Sequence, residues 1–136
     1  MYTYSMIKPH AVKANKSGNI ISLIENAGFR LAALKKTQFS RDEAESFYAI
    51  HKGKDFFSNL INHMTSGPII AMVLEKENAV SEFREFIGKT NPVEAKEGTI
   101  RNLFGESITD NAIHASDSVE NAWKEIRQIF NEDELF

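Results

Sequence analysis

Seven residues near the C-terminal end, Asn111-Ala112-Ile113-His114-Ala115-Ser116-Asp117, constrain the fold more than any other stretch. Asn111-Ala112-Ile113 is too apolar for a surface loop and reads as the end of a buried strand, with His114 at a strand-to-helix junction. Ser116, Asp117 and Ser118 then open a helix. Asp117 and Glu120 have capping-box spacing, and apolar residues follow at Val119, Ala122, Trp123, Ile126, Ile129 and Phe130. Free backbone N–H groups and the positive end of a helix dipole point into such a junction, which favours anions and phosphates. A lone histidine there more often simply packs, so its meaning depends on the rest of the chain.

The preceding chain alternates between strand and helix signals. Tyr2 to Ile7, aromatic and β-branched, predicts a first strand that Lys8-Pro9 ends, with Lys8 projecting from its C-terminal edge. Apolar residues at Ile20, Leu23, Ile24 and Ala27 predict a helix that Gly28 stops. Phe29 to Phe39 predicts a strand with Leu31, Ala33 and Thr37 on one face. Ser40 and Glu43 form a capping box for a helix to about Ile50, and Asp55 is expected to cap another carrying Phe57, Leu60, Ile61 and Met64. Ser66-Gly67-Pro68 is a turn, and the continuous apolar run Ile69 to Leu74 is the signature of a central strand covered on both faces. Asn78 caps a helix that Gly88 ends, and Lys89 to Ser107 then shows no sustained period. Long unpatterned stretches inside small domains are more often functional than idle. The order predicts an α/β (α+β) sandwich, most economically a ferredoxin-like four-stranded antiparallel sheet with helices on one face.

At 136 residues the chain is expected to form one domain with its own core, spanning 1–136. It has no cysteine, which excludes disulfides, thiolate metal sites and a cysteine nucleophile. The net charge of −3 argues against a broad nucleic-acid surface. Neither a signal-peptide pattern nor an apolar stretch of membrane-spanning length is visible, so no membrane partner and a cytoplasmic location are expected. Phosphate-loop, dinucleotide, zinc-helix and nucleophile-elbow motifs are all absent: Gly88-Lys89-Thr90 imitates the end of a phosphate loop, but Phe83 stands where its first glycine belongs.

Polar residues at predicted element ends are Lys8, Tyr48, Arg84, Thr90, Arg101, Asn111 and His114. Three cations, two hydroxyls and a histidine suit a polyphosphate, and a histidine is then the strongest candidate nucleophile. Spacing alone does not establish that they converge.

Lys8-Pro9, Ser66-Gly67-Pro68 with its following strand, Thr90-Asn91-Pro92, Gly98-Thr99-Ile100-Arg101 and Asn111 through Ser118 recur in this order in one family. On these stretches, over essentially its full length, the chain resembles nucleoside diphosphate kinases. The resemblance implies a Mg²⁺-dependent ping-pong transfer with broad base and sugar specificity. A nucleoside triphosphate such as ATP phosphorylates His114, and a diphosphate such as GDP takes the group. It further implies that Arg84, Thr90 and Arg101 hold the phosphates, with Lys8 and Tyr48 near the transferred phosphoryl. Lys8 and Asn111 would contact the sugar, and Phe56 would stack on the base with Ile108 on its other face. Glu125 would orient the imidazole, although periodicity places it off its helix's apolar stripe, and Ser116 would bond nearby. No protein side chain is expected to ligate Mg²⁺ directly; the phosphates and water would hold it, with Asp117 a candidate contact through water.

Three departures stand out. His10 and Ala11 replace the family's usual aspartate and glycine after Lys-Pro. Ala115 replaces the usual glycine after the histidine, which costs about 1 kcal/mol or more if that residue needs positive φ. Asn102-Leu103-Phe104-Gly105 also differs from common patterns. The family resemblance implies a homo-oligomer, and the short acidic tail, by that resemblance, a tetramer over a hexamer; an exposed Leu135-Phe136 end independently hints at an interface. Two other readings are weaker. An RNA-binding module lacks the required basic and aromatic interleaving, and a catalytically dead nucleotide sensor would have lost site residues that are all present.

Overall fold

The structure is a computed structural model and describes residues 1–136. Four strands, β1 (Tyr2–Ile7), β2 (Arg30–Thr37), β3 (Ile69–Glu75) and β4 (Ile113–Ala115), form one sheet in the order β2-β3-β1-β4, every neighbouring pair antiparallel. The helices are α1 (Pro9–Lys13), α2 (Ser17–Asn26), α3 (Arg41–Phe47), α4 (Phe57–Met64), α5 (Ala79–Ile87), α6 (Ile100–Phe104) and α7 (Val119–Ile129). This is the ferredoxin-like antiparallel sheet expected from the sequence, with helical cover.

The cover lies on both faces, which corrects the one-faced expectation. Ile69, Ala71 and Val73 of β3 pack with Ala44, Ile61, Met64 and Ile126 from α3, α4 and α7. Met72 and Leu74 pack on the opposite side with Ile20, Ile24, Phe83, Ile87 and Ile100 from α2, α5 and α6. A strand apolar at every position cannot leave one face wet, and the unbroken run Ile69 to Leu74 carries that demand. Each fully buried Ile, Leu or Phe contributes roughly 1.5–3 kcal/mol of transfer free energy, so both layers are needed to hold the sheet.

Several local expectations shift. β2 carries an irregularity between Leu31 and Ala33, which sends Leu31 to the α2 side and Ala33 to the α3 side, so the two do not share a face. Ser40 and Glu43 form their capping box, whereas Asp55 does not cap α4, whose N-cap Phe56 makes no side-chain bond. Asn78 is the N-cap of α5 at a left-handed φ of 54° but likewise makes no side-chain bond. Ser118, not Asp117, caps α7 by accepting from the Asn121 N–H, while Asp117 accepts from the Asn121 side chain at 2.6 Å. Two helices lie outside the sequence expectation: α1, which starts at Pro9, and α6, which interrupts the unpatterned stretch. Of the Leu135-Phe136 end, Leu135 packs against the core and Phe136 is exposed.

The consequence that matters most concerns His114. It lies within β4, opposite Met6 of the central strand, not at a strand-to-helix junction. Three residues separate β4 from α7, so the histidine is held by sheet register and not by a helix start. No helix is long and apolar enough to cross a membrane.

Candidate active site

β4 presents the His114 imidazole to a cleft of about 500 Å³ that Tyr48, Arg84, Thr90, Arg101, Asp117 and Glu125 also line. The ring is wedged among aromatic edges, with Phe47 at 5.3 Å, Tyr4 at 5.8 Å and Tyr48 at 6.5 Å between centroids. Its Nε2 lies 2.8 Å from Glu125 Oε1, and the same oxygen accepts the Ser116 hydroxyl at 2.7 Å. A carboxylate oxygen only accepts, so Nε2 carries the proton and Nδ1 keeps its lone pair. Ser116 also lies 3.2 Å from the Tyr4 carbonyl, but it has one hydrogen to give, and the shorter, charge-assisted bond to Glu125 takes it. The Tyr4 N–H reaches the same hydroxyl at 3.3 Å, tying Glu125's support to the middle of β1.

The cations sit just beyond. Lys8 is buried at the end of β1 and its ammonium reaches only the Thr109 carbonyl, at 3.2 Å. Burial pushes its pKa down to about 7, with the Arg101 charge adding to the shift and Asp110 opposing it. Arg101 of α6 donates to the Gly88 and Ile113 carbonyls at 3.2 and 3.0 Å, and burial, then Arg84, lowers it to about 10. Arg84 of α5 reaches the Ala115 carbonyl at 3.4 Å. None of the three cations pairs with a carboxylate. Clustered positive charge bonded only to neutral carbonyls is a standing demand for an anion.

Further polar atoms share that state. The Tyr48 hydroxyl, Arg101 Nε and Asn111 Oδ1 are buried without a partner. Burial, reinforced by Glu125, holds the Tyr48 phenol well above its ordinary pKa, so its hydroxyl remains a donor. Tyr48 is buried because α3 ends at Phe47. The turn at Tyr48 lets both adjacent aromatics face inward. The other amide end of Asn111 donates to the Thr90 carbonyl at 3.0 Å.

A second cleft, about 1050 Å³, adjoins the first and includes Lys89, Lys96, Thr99 and Ile108 but not His114. Arg84, Thr90 and Arg101 line both, so the two are ends of one groove, and the chemistry belongs to the smaller end. Lys8, Asn111 and Ser116 lie beneath the groove as buried supports. Phe56 is exposed outside the lining, 5.2 Å edge-on to His51. No group of three or more His, Cys, Asp or Glu residues is arranged to hold a metal ion.

Sequence reasoning misses His51, Asn121, Lys124 and Gln128, which also line the His114 cleft. A signal exists for two of them. Asn121, Glu125 and Gln128 recur at spacings of four and three, a polar stripe beside the apolar one on α7. That stripe faces the cleft, and it accounts for Glu125 without appeal to kinship. Ala115 has negative φ, so its replacement of glycine carries no backbone cost, whereas Ala112 adopts φ 77°.

Comparisons with known proteins bear on the family and the fold. The family described as "Nucleoside diphosphate kinase" matches residues 2–135. A nucleoside diphosphate kinase of a Nitratiruptor species is 53% identical over 133 residues, covering 98% of this chain and 97% of that protein. One from Methanocaldococcus jannaschii is 52% identical over 134 residues, covering 98% and 96%. Among solved structures, the Aquifex aeolicus nucleoside diphosphate kinase superposes with TM-score 0.95 at 40% identity, covering 99% of this chain and 98% of that one. The halophilic enzyme from Halobacterium salinarum, in complex with CDP, gives 0.96 at 34% identity and covers 100% and 91%.

Proposed function

The chain belongs to the nucleoside diphosphate kinase family of phosphotransferases, and on that premise we propose that it works by ping-pong transfer through a phosphorylated His114. The observation that carries this reading is the Glu125 bond to Nε2, which leaves Nδ1 as the ring's free nucleophile in a cleft that Arg84 and Arg101, neither paired with a carboxylate, also line.

In the first half-reaction the Nδ1 lone pair attacks the terminal phosphorus of a nucleoside triphosphate. The N–P bond forms as the P–O bond to the leaving diphosphate breaks, and that oxygen takes the electron pair. The imidazole becomes cationic while Nε2 keeps its proton, and the Glu125 carboxylate offsets the charge at 2.8 Å. In the second, a diphosphate's terminal oxygen attacks phosphorus and Nδ1 leaves with the pair. No proton need move. Arg84, Thr90 and Arg101 hold the phosphates, and Lys8 with the Tyr48 hydroxyl neutralises charge on the transferred group. Lys8 and Asn111 meet the sugar, and ligand atoms would satisfy the orphaned Tyr48, Arg101 and Asn111 atoms. Phe56 and Ile108, both exposed, bracket the base, and stacking without base-edge bonds explains acceptance of many nucleotides.

The residues fit a Mg²⁺ that travels with the nucleotide: no protein cage exists, and Asp117 is the cleft carboxylate not engaged with His114. Bound there, the ion would neutralise phosphate charge, with Asp117 accepting from its waters. We further infer that residues 1–136 act as one domain, in a cytoplasmic homo-oligomer, a tetramer in preference to a hexamer.

Steady-state rates with both nucleotides varied test the mechanism. Parallel double-reciprocal lines, and ATP–ADP isotope exchange without a second nucleotide, are expected. Intersecting lines without exchange would require direct transfer in a ternary complex.

A further inference from the structure

We propose that His10 is a positioning residue for phosphoryl transfer: its neutral imidazole holds the left-handed turn at Ala112 that sets Asn111 and His114, and protonation releases that turn. The inference rests on the reading that Asn111 and His114 serve the transfer.

Ala112 is the key to it. Its φ of 77° places an L-residue with a Cβ in the disfavoured left-handed region, so its neighbours must impose the conformation. Both backbone polar groups of Ala112 go to the chain just after β1, to Lys8 and to His10 in the first turn of α1. Its carbonyl accepts the Lys8 N–H at 2.8 Å, and its N–H donates to His10 Nε2 at 2.9 Å. Pro9 lies between these two clamps. On either side of Ala112 stand Asn111, whose amide ties to Thr90, and Ile113, whose carbonyl holds Arg101, with His114 next. The turn therefore joins sugar, phosphate and nucleophile positions.

The clamp has a protonation state. Nε2 accepts only while it carries no proton, so Nδ1 carries the ring's hydrogen and the imidazole is neutral. A protonated ring has two donors and would present N–H to N–H at Ala112. Burial lowers the His10 pKa, with Lys8 and His63 acting in the same direction, while Asp110 and Glu106 oppose. Among these groups, Glu106 lies 3.8 Å from Nδ1 but is largely exposed, and Asp110 is already bonded to His63 of α4 at 2.8 Å. The neutral form is thus the folded form, at full strength above the ordinary histidine value and lost as pH falls below it through the lowered folded value.

Two variants and one spectrum test this. In His10→Gln the side-chain oxygen reaches about as far as Nε2 and accepts without titrating, whereas His10→Ala removes the acceptor. At pH 8, kcat/KM of the Ala variant falls about tenfold and Gln restores most of it, as expected for an orphaned buried N–H. Between pH 8 and 5.5 the wild type loses activity more steeply than the Gln variant, because the wild type alone carries a titrating group at position 10. Nitrogen-15 spectra of the imidazoles show His10 protonated at Nδ1, with the Ala112 amide shift following its titration. The proposal fails if Nε2 carries the proton at pH 8, if the folded Ala variant keeps wild-type kcat/KM, or if wild type and Gln share one acid limb. Labelling of His114 is measured alongside: an unlabelled His114 overturns the transfer reading, while the His10 spectrum still judges the clamp.

Discussion

Replacing Glu125 by alanine removes the acceptor for a half-buried imidazole N–H. Both partners are 18% exposed, so little water can take the carboxylate's place. Ser116 is not stranded, because its hydroxyl can turn to the Tyr4 carbonyl 3.2 Å away. The loss is therefore the His114 bond itself, a charge-assisted hydrogen bond of about 1.5–3 kcal/mol. At about 1.4 kcal/mol per factor of ten, kcat/KM for transfer falls about 10- to 150-fold. The drop sits in kcat, since Glu125 touches the nucleophile and not the nucleotide. Glu125→Gln keeps an oxygen in place but drops the charge, and a neutral bond of roughly half the strength predicts about a 3- to 12-fold loss. Phosphoryl transfer from labelled ATP to GDP, with a thermal melt to confirm folding, reads both variants. A folded Glu125→Ala protein within twofold of wild type would refute the claim that this carboxylate orients the nucleophile.

Other perturbations separate binding from folding. Lys8, with a pKa lowered to about 7, is largely neutral at pH 8, and a polyphosphate beside it favours the charged form. Nucleotide binding at pH 8 should take up nearly one proton, seen by calorimetry in two buffers, and Lys8→Met should abolish the uptake. The same downward shift makes the free protein lose stability as pH falls from 10.5 towards 7, with no further loss from this group below that. Tyr48→Phe deletes a buried hydroxyl without a partner, so the melting temperature holds or rises while transfer slows about tenfold. Gly88→Ala places a Cβ 2.5 Å from Thr99 Oγ1 at φ 95°, a clash with strain that costs about 2–3 kcal/mol and lowers Tm by about 10 °C.

Legibility from sequence follows the range of the interactions involved. β1 and β3 can be read because alternation and an unbroken apolar run are local patterns, and the latter already implies cover on both faces. α1 escapes because Pro9 looks like a stop, though proline suits the first helical position, where its missing N–H costs nothing. α6 has only five residues, too few for a period to show. Local pattern sets His114 at a helix start instead of inside β4, because only pairing with β1 defines so short a strand. Residue types hint at phosphate chemistry, but their meeting depends on contacts such as Tyr4 with Ser116, 112 positions apart. Local patterns carry no record of such pairings. Ala115 needs no positive φ, and the left-handed residue is Ala112, which His10 and Lys8 hold.

The central claim is that Nδ1 of His114 carries the phosphoryl group between nucleotides. Incubation with Mg²⁺ and γ-labelled ATP, wild type beside His114→Ala, followed by nitrogen-15 and phosphorus-31 spectra and a GDP chase, tests it most directly. The account predicts acid-labile label on wild type alone, bonded at Nδ1 and passing to GTP on the chase. Equal label on both proteins, or phosphorus on Nε2, would contradict it.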